Sequence, residues 1–518
     1  MKRKDKHLLF LLFFLYALTR IAFFAKTFIQ VDGFAIPDDA YISLDIARNF
    51  ASGKWFFYGG QHTSGFQPLY VFIMTPVFLL FKTDLLTPVY FSLAMSSFTG
   101  FGTVYFLYKS VRLVYEDDYS PFVSVLLFVL LPVTAANISN GLETSLSFFF
   151  FVLVFYCVYK NRAKEISSVH LKGLFLFGVL VGTAMLARID NIMIIPGILI
   201  FAFLKGRNEK FPFSLIVRKA AIFTAGVAFI YFPYMVISYS FTGDLLPASG
   251  KAVHQIGSDM INYHSDGQSG FFALFQISIK NIYTNYSLVI IFAIVSTFVY
   301  RLKTLACPWF KVNVTEHTPI IITSLLLFVS YTFYFTANWF YSRYFFPLSL
   351  FFIILTAFAN NQLMSGFNSP KSKLIVFAVT VLVLISANLI RPGVKDFFFK
   401  QYTRKGYYEI GSWANSNFPE GTTIGTNQSG ALGYFSKNVK VINLDGVVNV
   451  DAYNAIKNKE LIEYIKSQKI EYFIDWEINY EFIKRNSKNI KDGDIVLINS
   501  AGGLKSWDYE WFVYRVNY

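Results

Sequence analysis

The sequence predicts a polytopic α-helical membrane protein of about 11 to 12 transmembrane helices, followed by a small extracytoplasmic α/β domain. Three observations predict it. Of 518 residues, 54% are hydrophobic and only 15% charged, with a mean hydropathy of +0.45; a soluble fold of this size carries more surface charge. Apolar runs long enough to cross a bilayer recur up to residue 390. Beyond that point the runs shorten to strand length and charge returns.

The first run, "LLFLLFFLYALTRIAFFA", follows "MKRKDKH" and lacks a small-residue cleavage site, so it reads as a retained helix. The candidate spans are 8–26, 67–82, 88–108, 120–136, 141–159, 172–187, 191–205, 219–238, 283–300, 319–336, 344–360 and 373–390. Basic loops such as "KSVR" at 109–112 and "KNRAK" at 160–164 separate them, and with the N-terminus they belong in the cytoplasm. That assignment works only if one early run does not cross. Segment 67–82, short and carrying Pro68 and Pro76, is the one expected to be re-entrant or surface-lying. About eleven crossings then leave the C-terminus outside.

The net charge of +14 sits in the short loops, where topology and anionic lipid account for it. Nucleic acid is therefore not an expected partner; membrane lipids are. Cys157 and Cys307 offer neither a metal set nor a disulfide framework. The division expected is a membrane module over 1–390, with external loops 27–66 and 239–282, and a tail over 391–518. In the tail, "GTTIGT", "VKVINLDG", "EYFIDW" and "GDIVLIN" read as short buried strands. "YNAIKNKELIEYIKSQK" reads as helix. "GTNQSGALG" lacks the spacing of a nucleotide-binding loop, and Asp445-Gly446 reads as a turn.

The most informative polar stretch is Asp38-Asp39-Ala40-Tyr41, just after Pro37. Tyr41, Leu44, Ala47 and Phe50 give an apolar helical face, placing both aspartates at a helix start, where free N–H groups favour carboxylates. A cap accounts for one aspartate and poorly for two. Adjacent carboxylates also bind a divalent cation or take a proton from a hydroxyl.

This stretch resembles the first external loop of the GT-C glycosyltransferases, which include protein O-mannosyltransferases and the aminoarabinose transferases of lipid A. The likeness rests on an ordered series. It comprises Asp38-Asp39-Ala40-Tyr41, Ala47-Arg48-Asn49, Gly65-Phe66-Gln67-Pro68-Leu69, "NGLET" at 140–144, "LARID" at 186–190, "TGDLLPASGKA" at 242–252, "YSRYFFP" at 341–347 and "GALGYFS…VINLDG" at 430–446. Ile189 stands where the group usually has proline, and Ala248 where it has asparagine.

The resemblance implies a membrane glycosyltransferase of the bacterial cytoplasmic membrane. It would move a hexosyl or pentosyl group from a polyprenyl-phosphate sugar to a hydroxyl of an extracytoplasmic glycan, lipid or protein, with inversion. It implies a first-loop carboxylate as base. Asp38 is slightly favoured if Asp39 begins the helix, and the roles reverse if Asp38 is the cap. Glu143 is the second carboxylate. Arg343 leads the donor-phosphate contacts, with Lys251 and Arg188 as auxiliaries, and a planar guanidinium suits phosphate oxygens. Arg188 and Asp190 also suit a structural pair. Tyr41, His62 and Gln67 are candidate acceptor or sugar contacts. No cofactor is firmly implied; a divalent metal, Mg2+ or Mn2+, would be held by Asp38, Asp39 and Glu143. The competing class is a multispan transporter or flippase for a lipid-linked saccharide, which predicts internal repeats and midplane ionisable groups; no half-to-half repeat is visible.

Overall fold

The computed structural model describes residues 3–32, 34–162, 164–165, 168–264, 270–304, 314–390, 406–506 and 509–518. Cys307 and the junction 391–405 lie outside them. Among the described residues eight helices are long and apolar enough to cross a membrane: Arg3–Phe24, Thr144–Asn161, Ile189–Asn208, Phe213–Thr242, Phe272–Thr304, Thr315–Phe335, Asn338–Ser365 and Pro370–Leu389. Counting the pair Ser120–Leu130 and Pro132–Ile138, bent by 65° at the break before Pro132, makes nine.

The difference from the sequence expectation has identifiable causes. Segment 67–82 becomes Pro68–Leu80, a 13-residue helix, about 20 Å long at 1.5 Å per residue and short of a ~30 Å hydrocarbon layer. Leu171–Ala187 has 17 residues. Leu86–Val114 has 29 residues, but Ser92, Ser96, Ser97 and Thr103 on its buried face dilute its hydropathy. Those small residues serve packing, as is usual between membrane helices. A Cβ at Gly100 would lie 1.9 Å from the Tyr16 hydroxyl, which donates to the Ser97 carbonyl at 2.9 Å.

The first loop folds into helix Asp38–Ala51 and a small hairpin, β1 (Phe57–Tyr58) and β2 (Gln61–His62). Pro37 precedes the helix with extended backbone and the helix stops at Ser52. Ten of its 14 residues are buried, so one face packs on membrane helices and the other on the tail.

The tail forms a five-stranded mixed sheet of order β4-β3-β5-β7-β6. Strands β3 (Thr423–Thr426), β4 (Lys440–Asn443) and β5 (Tyr472–Trp476) are parallel. Strands β6 (Ile495–Ser506) and β7 (Tyr509–Val516) complete it as an antiparallel pair. Helix Ser429–Phe435 links β3 to β4, and helices Val450–Asn458 and Leu461–Ser467 link β4 to β5. In such sheets the loops at the carboxyl ends of the parallel strands form the crevice where ligands bind. Here that edge meets the helix Asp38–Ala51.

Candidate active site

Two assemblies grow from the first loop. The first is the seam with the tail. Asp38 is buried, and its two oxygens accept from the backbone amides of Gly430 at 2.7 Å and Ala431 at 2.8 Å. Gly430 permits this approach, because a Cβ there would sit 2.1 Å from the Asp38 carbonyl oxygen. Burial pushes the Asp38 carboxyl up to about 8, the two amides pulling the other way. Asp475, at the end of β5, holds the preceding turn by accepting from Thr426 Oγ1 at 2.9 Å and the Asn427 amide at 2.6 Å.

Asp32 accepts from the Tyr408 amide at 2.8 Å and from the Tyr41 hydroxyl, and burial raises it to about 7. Tyr41 itself packs against Tyr434 and Phe435. Tyr58 donates to the Ser429 carbonyl at 2.8 Å, and Arg48 to the Tyr434 carbonyl at 3.1 Å.

The second assembly centres on Arg343, in the short helix Tyr341–Tyr344. Its Nη1 donates to Asp39 Oδ2 at 2.9 Å and its Nη2 to Glu143 Oε1 at 2.9 Å. Its Nε is buried and has no hydrogen-bond partner among the described residues. Glu143 also accepts from Arg188 Nη1 at 2.8 Å. Arg188 reaches Asp190 through Nε at 3.1 Å and Nη2 at 3.0 Å. The Tyr331 hydroxyl donates to Asp190 at 2.6 Å and accepts from Arg188 Nη2 at 3.2 Å. Tyr344 stacks on Tyr331 with centroids 4.6 Å apart and lies under both guanidinium groups. The order is Asp39, Arg343, Glu143, Arg188, Asp190: acids and arginines alternate, as buried charges require.

Local sequence explains these positions. In "NGLET", Asn140 Oδ1 accepts from the Leu142 amide at 3.0 Å, Gly141 takes φ +66°, and Glu143 then stands just before helix Thr144–Asn161, its side chain making no capping bond. Only glycine enters that left-handed turn without strain. In "LARID", the helix ends at Ala187, Arg188 is extended, and Asp190 lies in the first turn of the 3-10 helix Ile189–Met193. Asn191 fixes that turn through Ser147 Oγ at 3.0 Å and the Ala184 carbonyl at 2.7 Å. Thr336, at φ +53°, breaks the helix before the segment that carries Arg343.

The structure thus brings Asp39, Glu143, Arg343 and Arg188 together and sends Asp38 and Tyr41 to the seam. Asp39 keeps 38% of its side chain accessible; Glu143 keeps 1%. Lys251 donates to Asp244 in its own loop, and His62 places Nδ1 3.2 Å from the Phe56 carbonyl. Gln67 precedes the helix Pro68–Leu80 without a capping bond from its side chain. Tyr331 and Tyr344 were not legible as site residues, since nothing in the spacing separates them from 31 other tyrosines of the 33 in the chain.

The three carboxylates considered for a divalent metal do not share a cavity in which one ion could meet them. Each oxygen of Asp38 already accepts from a backbone amide of the tail, and Arg343 stands between Asp39 and Glu143. Among the described residues no group of three or more His, Cys, Asp or Glu side chains is arranged to hold a metal.

A family model described as a domain of unknown function, DUF8728, matches residues 396–514. No curated protein matches the chain by sequence. Solved structures do match in fold. The Archaeoglobus fulgidus oligosaccharyltransferase AglB, in complex with an inhibitory peptide and a dolichol-phosphate, aligns with a TM-score of 0.63 at 12% identity, over 94% of this chain and 71% of that chain. The same oligosaccharyltransferase in complex with Zn and sulfate gives 0.60 at 13% identity, over 94% and 72%. ArnT from Cupriavidus metallidurans, bound to undecaprenyl phosphate, gives 0.56 at 11% identity, over 96% and 97%. Both neighbours belong to the GT-C superfamily, and the chain has the GT-C fold: a multi-pass membrane module with a C-terminal α/β domain.

Proposed function

We propose that this protein transfers a sugar from a polyprenyl-phosphate carrier to a hydroxyl of an acceptor on the extracytoplasmic face of the bacterial cytoplasmic membrane. The observation that carries the reading is Arg343, which bridges Asp39 and Glu143 while its buried Nε–H has no partner among the described residues. An unsatisfied buried donor costs about 1–3 kcal/mol, a cost relieved when a phosphate oxygen arrives. The neighbours bound to dolichol-phosphate and undecaprenyl phosphate support a carrier of this chemistry.

The reaction forms a bond from the acceptor oxygen to the anomeric carbon and breaks the bond from that carbon to phosphate. The electron pair leaves with the phosphate oxygen, where the Arg343 N–H groups offset the new charge. The acceptor proton passes to Asp39, whose half-open carboxylate has one oxygen free of Arg343. Attack opposite the leaving group inverts the anomeric centre.

Asp39 is the base in this scheme rather than Asp38, because both oxygens of Asp38 are engaged by the tail. Glu143, Arg188 and Asp190 position Arg343. The module over 1–390 supplies the chemistry, and the tail over 391–518 walls the acceptor side. No step is drawn through a metal, since the donor set among the described residues does not assemble one.

The test uses the full chain in lipid nanodiscs, with short-chain polyprenyl-phosphate sugars of several kinds and mass spectrometry of the released polyprenyl phosphate. Sugar-dependent release that Asp39→Asn and Arg343→Ala abolish and chelator leaves intact is the expected result. Folded protein that neither binds nor turns over any carrier would overturn the reading in favour of transport.

A further inference from the structure

The spacing of Ala17, Arg20, Ile21 and Phe24 sets one arginine on an otherwise apolar stripe of the helix Arg3–Phe24. Arg20 stands four residues before the helix end, about 6 Å along the axis, on the side where the first loop lies. A long basic side chain this close to a span end ordinarily snorkels outward to the headgroups. Arg20 instead is only 6% exposed. Its Nη1 donates to Ser139 Oγ at 2.7 Å and its Nε to Thr19 Oγ1 at 3.2 Å. The guanidinium also lies over the rings of Tyr16 and Phe23, 5.3 and 5.9 Å from their centroids.

A groove of about 460 Å³ opens beside it, lined by Ala17, Arg20, Ile21, Phe24, Ala25 and Phe101. Among these described lining residues Arg20 alone is charged. Ala17 and Ala25 are too short to fill the space, and Phe101 forms the opposite wall, held edge to face against Tyr16 at 4.6 Å. Ile21 and Phe24 are exposed on a helix that spans the membrane, so the groove opens to lipid.

Lipid tails are as apolar as these walls, so a chain in the groove gives no preference for one lipid over another. Selection falls to the charge in the wall. A guanidinium offers planar, paired donors to phosphate oxygens. Phosphatidylcholine offsets its phosphate with its own cation, whereas phosphatidylglycerol keeps a net negative charge. We propose that the groove binds an anionic glycerophospholipid of the surrounding leaflet, its phosphate at Arg20 and one acyl chain against Ala17 and Phe101. Ser139 opens the run Ser139-Asn140-Gly141-Leu142-Glu143, so the site lies one hydrogen bond from the turn that carries Glu143. The inference stands apart from the glycosyl-transfer reading, because it needs neither sugar nor turnover.

The test takes the full chain from nanodiscs of equal parts phosphatidylglycerol and phosphatidylcholine into detergent and weighs it with its retained lipids by native mass spectrometry. Arg20→Gln keeps a donor for Ser139 and removes the charge. It should lower the retained ratio of phosphatidylglycerol to phosphatidylcholine by about fivefold, the effect of one basic residue on anionic lipid. Arg20→Lys, which restores the charge, should recover most of that ratio. Ala17→Leu fills the groove from a half-buried position without touching the guanidinium. It should remove one retained phosphatidylglycerol, and it decides the question if Arg20→Gln does not fold. Wild-type retention in folded Arg20→Gln, or in Ala17→Leu, would make Arg20 a structural link to Ser139 and overturn the proposal. Short-chain polyprenyl phosphate added in competition should leave that phosphatidylglycerol in place. If it takes its place, the groove is a carrier site and the proposal is likewise overturned.

Discussion

Asp38 and Asp39 are neighbours in the chain and yet belong to different regions with opposite physical states. At the seam, Asp38 is enclosed by the tail, has both oxygens taken by amides, and has no arginine beside it among the described residues. In the arginine cluster, Asp39 is accessible, bound through one oxygen, and tied to a cation that is itself short of a partner. The contrast separates holding from reacting. Successive residues at a helix start point in different directions, so one can be spent on docking a domain while the next stays open to a ligand.

The largest test of that contrast is catalytic. Asp39→Asn should lower sugar transfer by about 10²–10⁴-fold, the range for losing a general base. Asp38→Asn, which still offers one acceptor oxygen to the tail, should retain far more of the rate. Equal losses in the two variants would erase the distinction. Arg343→Ala should cost about 10²–10³-fold, as expected for a donor aimed at developing charge, and Arg343→Lys should recover only part, because one ammonium cannot replace the fork that reaches Asp39 and Glu143.

Stability should divide the regions next. Arg188→Ala leaves Glu143 and Asp190 buried without their shared cation, and removing one member of a buried pair costs about 3–5 kcal/mol. Thermal unfolding in nanodiscs measures this, and unchanged unfolding would mean that Arg343 alone supports Glu143. At the seam, Gly430→Ala sets a Cβ against the Asp38 carbonyl. Overpacking of that kind costs about 1–3 kcal/mol and should appear as faster proteolysis of the tail with the membrane helices intact.

The sequence revealed the cluster better than the seam, for a physical reason. Charged residues in an apolar chain stand out, so Asp39, Glu143, Arg188 and Arg343 were all visible against a background with 15% charge. Their alternation was not, because it depends on which of four distant segments meet. The seam is made by backbone amides of Gly430 and Ala431, and backbone donors carry no residue signature. The acidic pair was visible, but its division of labour required knowing that the tail folds back over the first loop.

The smallest expected effect is a pH dependence confined to the seam. Asp38 is raised to about 8 and Asp32 to about 7, with burial the main cause for both; an undocked tail would let them ionise near their ordinary values of about 4. Between those limits the docked state retains protons that the undocked state releases, so docking weakens as pH rises and is tighter at pH 6 than at pH 8. Hydrogen exchange of residues 429–435, corrected for intrinsic rates, should therefore show greater protection at pH 6. Asp38→Asn, which cannot ionise, should flatten the trend. Greater protection at pH 8 would mean that the Gly430 and Ala431 amides outweigh burial and hold Asp38 charged. The seam would then be an anion site filled by the protein's own carboxylate, and its strength would rise with pH.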